Sequence, residues 1–227
     1  MGKILCSNCD FKSPATDSLR KPELDRLEEN CTQVNFKPGE IIFKQDALSS
    51  NIVYLRNGIV KLHMKGPDRE SILKIVKAPA YTGIPTTVGD RVNHYSATAL
   101  VETLACFIDI NTFKKFLFKN GQFAYEIILE LCKNELQNFH CCVNLNQKQL
   151  NGRIADGLLN LADNIFDGSD EFTMILNRNE FSDLIGSSRE SVSRVLTQFH
   201  DEGIIHMSGK SIHILERRTL ELISRNG

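Results

Sequence analysis

The pattern of apolar residues changes once along this chain, near Asn111, and that change limits the fold more than any other feature. Before it, residues 34–110 hold short runs rich in Val, Ile, Phe and Tyr, separated by turn-forming stretches such as KPGE and KGPD. Closely spaced strands of this kind predict a compact all-β sandwich or barrel. After it, apolar residues recur every three or four positions, which predicts helices. We therefore expect an α+β protein in which a β-domain precedes a helical part.

Two features of the first part have a specific structural interpretation. Strands flank Asn57-Gly58 in IVYLRNGIVKLHM, and this dipeptide suits a tight turn with positive φ, which predicts a β-hairpin. The stretch PELDRLEENC predicts a short amphipathic helix with Leu24 and Leu27 on one side. Residues 1–22 are polar and without periodicity, so we expect them to form an arm.

A long helix is expected from Gln122 to about Asn146, after a short helix at residues 112–118, and it would span about 37 Å. One helix cannot bury two faces against itself. We expect one face to cover the β-domain and the other to meet a second copy of the chain. This dimer seam has the spacing typical of a coiled coil and comprises Tyr125, Leu129, Cys132, Leu136, Phe139 and Val143.

Composition excludes some classes of protein and makes a nucleic-acid partner harder to recognise. No run approaches the roughly 18 apolar residues of a membrane span, and the N-terminus lacks the apolar core of a signal peptide. A cytoplasmic location and no membrane partner are therefore expected. The net charge is -1, and residues 148–227 hold nine basic and twelve acidic side chains. A DNA-binding surface in this segment would need its basic groups on one face.

Residues 176–215 carry the most informative pattern in the chain. Asn177 and Glu180 form a capping-box signal for a helix over about 178–185, which Gly186 would end.

A second helix is expected at about 188–201, capped by Ser187 or Ser188, with Glu190 three residues after Ser187. Two strands, IIHM and SIHIL, then flank a glycine turn. Two short helices around a turn that contains glycine, followed by a hairpin, predict a winged helix-turn-helix.

The exposed face at the start of the second helix has the chemistry of base reading. Arg donates two hydrogen bonds to guanine, and Glu accepts one from cytosine. Ser hydroxyls, the helix N-terminus and a hairpin Lys suit phosphate oxygens. The predicted DNA-binding residues are Ser188, Arg189, Glu190, Ser193, Arg194 and Lys210.

This pattern identifies a family. GSSRESVSRVLTQFHDEGII, followed by a hairpin containing Gly-Lys, closely resembles the helix-turn-helix of the cAMP receptor protein and fumarate-nitrate reduction regulator (Crp/Fnr) family. FKPGEIIFKQD and YLRNGIVKL resemble early strands of that family's cyclic-nucleotide-binding β-roll, which is jelly-roll-like. The resemblance implies a homodimeric transcription regulator that reads double-stranded DNA at a palindrome with half-sites related to TGTGA or TTGAT. It also implies RNA polymerase as a partner.

The resemblance divides the chain into four parts. These are an N-terminal arm at 1–22, a β-roll sensory domain at 23–120, a dimerisation helix at 121–147 and a winged helix-turn-helix DNA-binding domain at 148–227.

The stretch YTGIPTTVGDRVNHYSATALVE matches the family's phosphate-gripping cassette only in part. Gly83 is present, but Ile84 follows it where an acidic residue is expected, and Tyr95-Ser96 stands where Arg-Ser is expected. These four residues form the candidate effector pocket. We expect no useful affinity for cAMP. A degenerate scaffold and a pocket for a different small ligand both remain open, so the effector is unknown.

Seven cysteines suggest a second kind of chemistry. Cys6-x-x-Cys9 is similar to the N-terminal cluster cysteines of oxygen-sensing members of the family, and Cys106 falls near their fourth ligand. No cysteine lies between Cys9 and Cys31, so the third ligand is missing. We therefore expect no cofactor and no metal, and a packing role for Cys106. The alternative function is a redox or small-molecule sensor in which the Cys-x-x-Cys takes part in metal or thiol chemistry.

An enzyme is not expected. The sequence contains no P-loop, no Gly-x-Ser-x-Gly and no His-Glu-x-x-His, and its six histidines are scattered.

Overall fold

The computed structural model describes Cys6 and residues 9–227, and the chain divides into two compact units. The first comprises the residues up to 65 together with 75–136, and the second comprises 66–74 and 137–227. The rest of the expected arm, residues 1–5, 7 and 8, lies outside the described residues. None of the described helices is long and apolar enough to cross a membrane.

Two four-stranded sheets form the first unit. Their strand orders are β1-β8-β3-β6 and β2-β7-β4-β5. The strands are β1 (Cys31–Phe36), β2 (Ile41–Phe43), β3 (Asn51–Asn57), β4 (Ile59–Lys65), β5 (Glu70–Lys77), β6 (Ala80–Thr82), β7 (Ser96–Ala99) and β8 (Thr103–Asp109). Apolar side chains from both sheets meet in one core, so the sheets face each other as a sandwich. The predicted β-domain is confirmed.

Helices cover the other face of the β1-β8-β3-β6 sheet. They are α1 (Pro14–Asp17), α2 (Lys21–Glu29), α3 (Ile84–Gly89), α4 (Ile110–Lys119) and α5 (Gly121–Gln147). Phe113 of α4 and Phe123 of α5 are almost fully buried beneath this cover, and their rings meet edge to face. The predicted short and long helices are confirmed, each one or two residues longer at both ends than expected.

The predicted hairpin at Asn57-Gly58 is wrong. Both strands exist and Gly58 has a φ of 105°, but β3 pairs with β6 and β8, whereas β4 pairs with β7 in the other sheet. The chain turns a corner here, because Leu55 and Val60 are both buried in the core between the sheets. Glycine is required at the corner, since a Cβ on Gly58 would lie 2.3 Å from the Thr103 hydroxyl oxygen.

The N-terminal segment also differs from expectation. The helix predicted for PELDRLEENC stops at Glu29, and Cys31 begins strand β1 opposite Ile108 of β8. The described part of the arm packs against the β1-β8-β3-β6 sheet. Ser13 and Thr16 are buried, and the hydroxyl of each lies within hydrogen-bonding distance of the Tyr81 hydroxyl, 2.9 and 3.1 Å away.

The second unit contains helices and a small sheet ordered β10-β11-β9. Its elements are α6 (Leu150–Asn160), a π-helical turn (Leu161–Ile165), β9 (Glu171–Thr173), α7 (Arg178–Ile185), α8 (Arg189–Asp201), β10 (Ile205–Ser208), β11 (Ser211–Ile214) and α9 (Arg217–Asn226). Leu158 of α6, Phe181 of α7 and Leu196 of α8 are almost fully buried in its core. The order of helices and hairpin is that of the predicted winged helix-turn-helix, so the α+β fold class is confirmed.

Candidate functional site

Helices α7 and α8 are positioned by the local signals that the sequence contains. Asn177 accepts a hydrogen bond from the Glu180 amide, and the Glu180 carboxylate accepts one from the Asn177 amide, so the predicted capping box is confirmed. Gly186 ends α7 in the left-handed conformation, with a φ of 68°. Ser188 caps α8 by accepting from the Ser191 amide at 3.2 Å. The alternative cap at Ser187, paired with Glu190, is therefore wrong.

The predicted base-reading residues lie at the exposed start of α8. Arg189, Glu190 and Arg194 are exposed, whereas Ser193 is partly buried. Across the described residues, none of the three exposed side chains makes an intrachain hydrogen bond or ion pair, so their polar groups are available to a partner. The opposite face of α8 is buried through Val192, Val195, Leu196 and Phe199.

An arginine from α6 fixes the turn between the two helices. Arg153 Nη1 donates to the carbonyl oxygens of Ile185 and Gly186, at 3.0 and 3.1 Å. Gly157, one turn further along α6, lets α7 approach closely, because a Cβ there would lie 2.6 Å from Ile185 Cδ1. Sequence reasoning missed both residues. They are about 30 positions from the turn that they support, and no local spacing links them to it.

The hairpin of β10 and β11 forms the predicted wing. Gly209 has a φ of 59° at its turn, and Lys210 is exposed beside it. The Lys210 carbonyl accepts from the Met174 amide at 2.8 Å, which holds the backbone of the turn while leaving the ammonium group in solvent.

Ion pairs neutralise several of the acidic residues of this unit. Arg217 pairs with Asp163, with Asp170 at 2.5 Å and with Glu221 at 3.4 Å. Hydrogen bonds to Asp163 and then Asp170 raise the pKa of Arg217 above its ordinary value. Carboxylates that are paired with an arginine contribute less to the negative potential at other surfaces of the unit. The start of α8 can therefore be basic although the unit has more acidic than basic residues.

In the first unit, the candidate effector residues bind one another. The Tyr95 hydroxyl oxygen accepts from the Gly83 amide at 3.1 Å, and the Ser96 hydroxyl accepts from the Gln45 amide at 2.9 Å. The Tyr95 ring packs edge to face on Phe43, with centroids 5.6 Å apart, and Ile84 is buried. The donors and acceptors of the cassette are therefore partly occupied by the chain itself.

A cleft of about 240 Å³ lies beside this group. Gly83 lines it, but Ile84, Tyr95 and Ser96 do not, and its other lining groups include Lys44 and Asn93. His94 forms an ion pair with Asp90 at 2.6 Å, and hydrogen bonds from the Val92 amide and then His94 lower the pKa of Asp90. The described structure thus provides space for a small ligand, but Tyr95 and Ile84 stand where the family's cassette has the arginine and the acid that hold a cyclic nucleotide.

The dimer seam lies largely on the solvent side of α5. The buried residues of α5 are Phe123 and Ile127, which are not members of the seam. Leu129 of the seam is half-buried. The exposed members of the seam are Tyr125 at 56%, Cys132, Leu136 at 59%, Phe139 at 57% and Val143 at 51%.

Four of the cysteines converge in the first unit. Cys6, Cys9, Cys31 and Cys106 line one cavity of about 30 Å³, so Cys31 is a fourth cysteine beside the three candidates, and the spacing of the sequence did not indicate it. A cavity of this size holds no more than about one or two water molecules. Across the described residues, no group of three or more His, Cys, Asp or Glu is arranged to hold a metal ion.

Comparison with known proteins gives the same two-part organisation. The chain matches the model of the Cyclic nucleotide-binding domain over residues 33–120 and that of the Crp-like helix-turn-helix domain over residues 152–223. Together these matches cover more than two thirds of the chain.

Curated relatives and solved structures extend the similarity to nearly the whole length. The chain is 25% identical to the CRP-like cAMP-activated global transcriptional regulator of Mycobacterium tuberculosis, over 86% of this chain and 88% of that protein. It is 25% identical to the transcriptional activator protein anr of Pseudomonas aeruginosa, over 98% and 92%. The structure of FixK2 from Bradyrhizobium japonicum superposes with a TM-score of 0.75 at 19% identity, covering 85% of this chain and 96% of that one.

These relatives are transcription regulators and not enzymes, which agrees with the helix-turn-helix described above. The chain belongs to the Crp/Fnr family of DNA-binding transcription regulators.

Proposed function

We propose that this regulator acts as a homodimer that reads a palindromic operator through the exposed start of α8. The main support is the arrangement of Arg189, Glu190 and Arg194, which are exposed at a well-capped helix start and have no hydrogen-bond or ion-pair partner among the residues that the structure describes. Buried side chains on the opposite face of α8 fix the helix in this orientation. An arginine in this setting offers two parallel donors to guanine O6 and N7, and a glutamate accepts from cytosine N4.

Phosphate contacts would set the register of the protein on the duplex. Ser188 and the α8 N-terminus offer neutral donors, Ser193 lies nearby, and Lys210 supplies a cation from the wing. We assign Ser188, Ser193 and Lys210 to contacts with the phosphate backbone of the DNA. The two arginines and Glu190 are assigned to contacts with the bases.

The exposed dimer seam supports the homodimer. Four large apolar side chains on one helix, each more than half exposed, form a surface that a second copy would cover. Two copies related by a two-fold axis would present two α8 helices, which matches a palindrome. RNA polymerase is the proposed further partner, because relatives such as the Pseudomonas aeruginosa protein are named as transcriptional activators.

The proposed effector is not a cyclic nucleotide. Burying a cyclic phosphate costs free energy unless a cation or several donors replace its water. Tyr95 supplies no charge, and its hydroxyl already accepts from the Gly83 amide, which is one of the few donors left. The thiol chemistry of the alternative function is favoured by one observation, the convergence of four cysteines, and is compatible with DNA binding.

Base reading can be separated from backbone binding by substitution. Arg189→Ala and Arg194→Ala should each cost about 1–3 kcal/mol and relax base preference, because each removes a bidentate contact. Lys210→Ala should instead weaken binding to all sequences alike. Fluorescence anisotropy with palindromic duplexes carrying TGTGA or TTGAT half-sites, and with scrambled duplexes, measures both effects. Arg218→Ala, which removes the same charge from an exposed site on α9, is the control. Equal losses for Arg189→Ala and Arg218→Ala would contradict the assignment.

Dimerisation can be tested on the seam itself. The wild type should have about twice the 25.6 kDa mass of one chain in light scattering. Leu136→Glu should shift it towards the monomer, because the dimer would bury an unpaired carboxylate. Gln137→Glu adds the same charge at the next, exposed position and should leave the dimer intact. A wild type that is monomeric at micromolar concentration would disprove the shared-helix dimer.

Calorimetric titration tests the effector assignment. In the family's cassette an arginine and an acid hold the cyclic nucleotide, and this chain has Tyr95 and Ile84 in their places. Their absence should weaken the binding of cAMP and cGMP at least about a hundredfold, since a loss of about 1.4 kcal/mol in binding free energy lowers affinity tenfold. A dissociation constant of about 10 µM or lower for either nucleotide would show that the cassette is a working nucleotide site.

A further inference from the structure

Three thiols lie together under the N-terminal arm, on the outer face of the β1-β8-β3-β6 sheet. The Cys31 thiol is hydrogen-bonded to the thiols of Cys106 and Cys6. Cys31 and Cys106 are buried, whereas Cys6 is partly exposed. A hydrogen bond holds the arm against the sheet at Phe11: the Tyr54 hydroxyl of β3 donates to the Phe11 carbonyl oxygen at 2.6 Å. The contact between Cys6 and Cys31 thus joins the arm to the sheet.

A buried arginine lines the same cavity. Arg56 is only 5% exposed, and within the described part of the chain its guanidinium forms no ion pair or hydrogen bond. It lies where the pairing of β3 with β8 shifts register, between Leu55 and Asn57. Such an irregularity re-aims a side chain. A buried cation with no carboxylate partner favours a negative charge beside it, and the thiols are the groups at hand that can supply one.

We propose that Cys6 and Cys31 are a redox-active pair that a hydroperoxide converts to a disulfide, tying the arm to strand β1. The inference concerns the first unit alone and does not depend on DNA recognition. It is an alternative to metal or cluster chemistry, for which the described residues contain no group of three or more suitably placed ligands.

Strand register decides between the two neighbours of Cys31. Cys31 lies opposite Ile108, and Cys106 lies opposite Gln33, so Cys31 and Cys106 are a diagonal pair. Diagonal residues on adjacent strands are roughly 7–8 Å apart at Cα, beyond the usual disulfide range of about 4.4–6.8 Å. Cys6 belongs to no strand, so no ladder sets its distance from Cys31. The disulfide is therefore assigned to Cys6 and Cys31.

The chemistry needs two steps and one peroxide. The sulfur of Cys6 is the more accessible one, and as a thiolate it attacks an oxygen of hydrogen peroxide. The O–O bond breaks and Cys6 becomes a sulfenic acid. The released hydroxide takes up a proton and leaves as water. The Cys31 sulfur then attacks the Cys6 sulfur. The S–O bond breaks, the Cys31 proton goes to the departing hydroxide, and a second water leaves. Two thiols lose two electrons in all, and the peroxide gains them.

The division of roles follows from the proton on Cys31. Hydrogen bonds to Cys106 and Cys6, and then burial, raise the pKa of the Cys31 thiol. Cys31 therefore keeps its proton, which leaves the more exposed Cys6 as the sulfur that meets the peroxide first. Arg56 acts in the same direction as a positioning charge.

The test is thiol counting and disulfide mapping on the full-length wild type, reduced and desalted, before and after hydrogen peroxide. We expect two thiols per chain to disappear, to return with dithiothreitol, and to map by mass spectrometry to Cys6 and Cys31. Cys142→Ser removes an exposed thiol on α5 outside the dimer seam and should change neither result. Cys6→Ser should abolish the reversible loss.

Arg56 variants test the electrostatic part. Arg56→Gln should slow the loss of thiols by about tenfold at neutral pH, because it removes the cation that stabilises a thiolate in this cavity, and Arg56→Lys should restore most of the rate. Equal rates in all three proteins would contradict a role for this charge.

Several outcomes would overturn the proposal. They are a disulfide between Cys6 and Cys9, a disulfide between two chains, irreversible oxidation without any disulfide, or thiols protected by a stoichiometric metal in the purified protein. Each is read from the protein alone, so failure of this inference is distinct from failure to bind an operator.

Discussion

The apolar stripe of α8 is the constraint on which the proposed DNA-binding surface depends. Val192, Val195, Leu196 and Phe199 are at most 4% exposed. Burying each such side chain contributes roughly 1.5–3 kcal/mol, so the helix has one strongly preferred rotation about its axis. Their burial leaves Arg189 and Arg194 outside. The Ser188 cap and the Arg153 contacts then fix where the exposed face begins. The net charge of the second unit does not indicate this surface, because its acidic residues outnumber its basic ones.

In the first unit, the β1-β8-β3-β6 sheet is buried on both faces. One face packs against the second sheet, and the other packs against helices and the arm. Alternate residues of β3 therefore serve different cores: Val53 and Leu55 face the sandwich, whereas Ile52 and Tyr54 face the helices. This alternation brings Cys31 and Cys106 beneath the arm. Cys31 and Cys106 thus lie close together although neither belongs to a local cysteine motif.

Sequence reasoning predicted the features that short-range signals determine. The capping box at Asn177 and the glycine end of α7 are local, and the structure confirms them. It failed where distant strands decide the outcome. Asn57-Gly58 carries the signal of a hairpin, but core packing on both sides of it sends the two strands into different sheets. The proximity of Cys31 to Cys106 depends on the register between β1 and β8. This register cannot be predicted from the local pattern of either strand, because the two strands are far apart in the sequence.

Selection from random duplexes with the purified protein decides whether this chain reads a two-fold symmetric DNA site through α8. We expect enrichment of a palindrome whose half-site centres are about 10–10.5 base pairs apart, because two copies joined along α5 would present their recognition helices to successive major grooves on one side of the duplex. Enrichment of a non-palindromic sequence, or no enrichment at all, would show that the chain does not read DNA in this way.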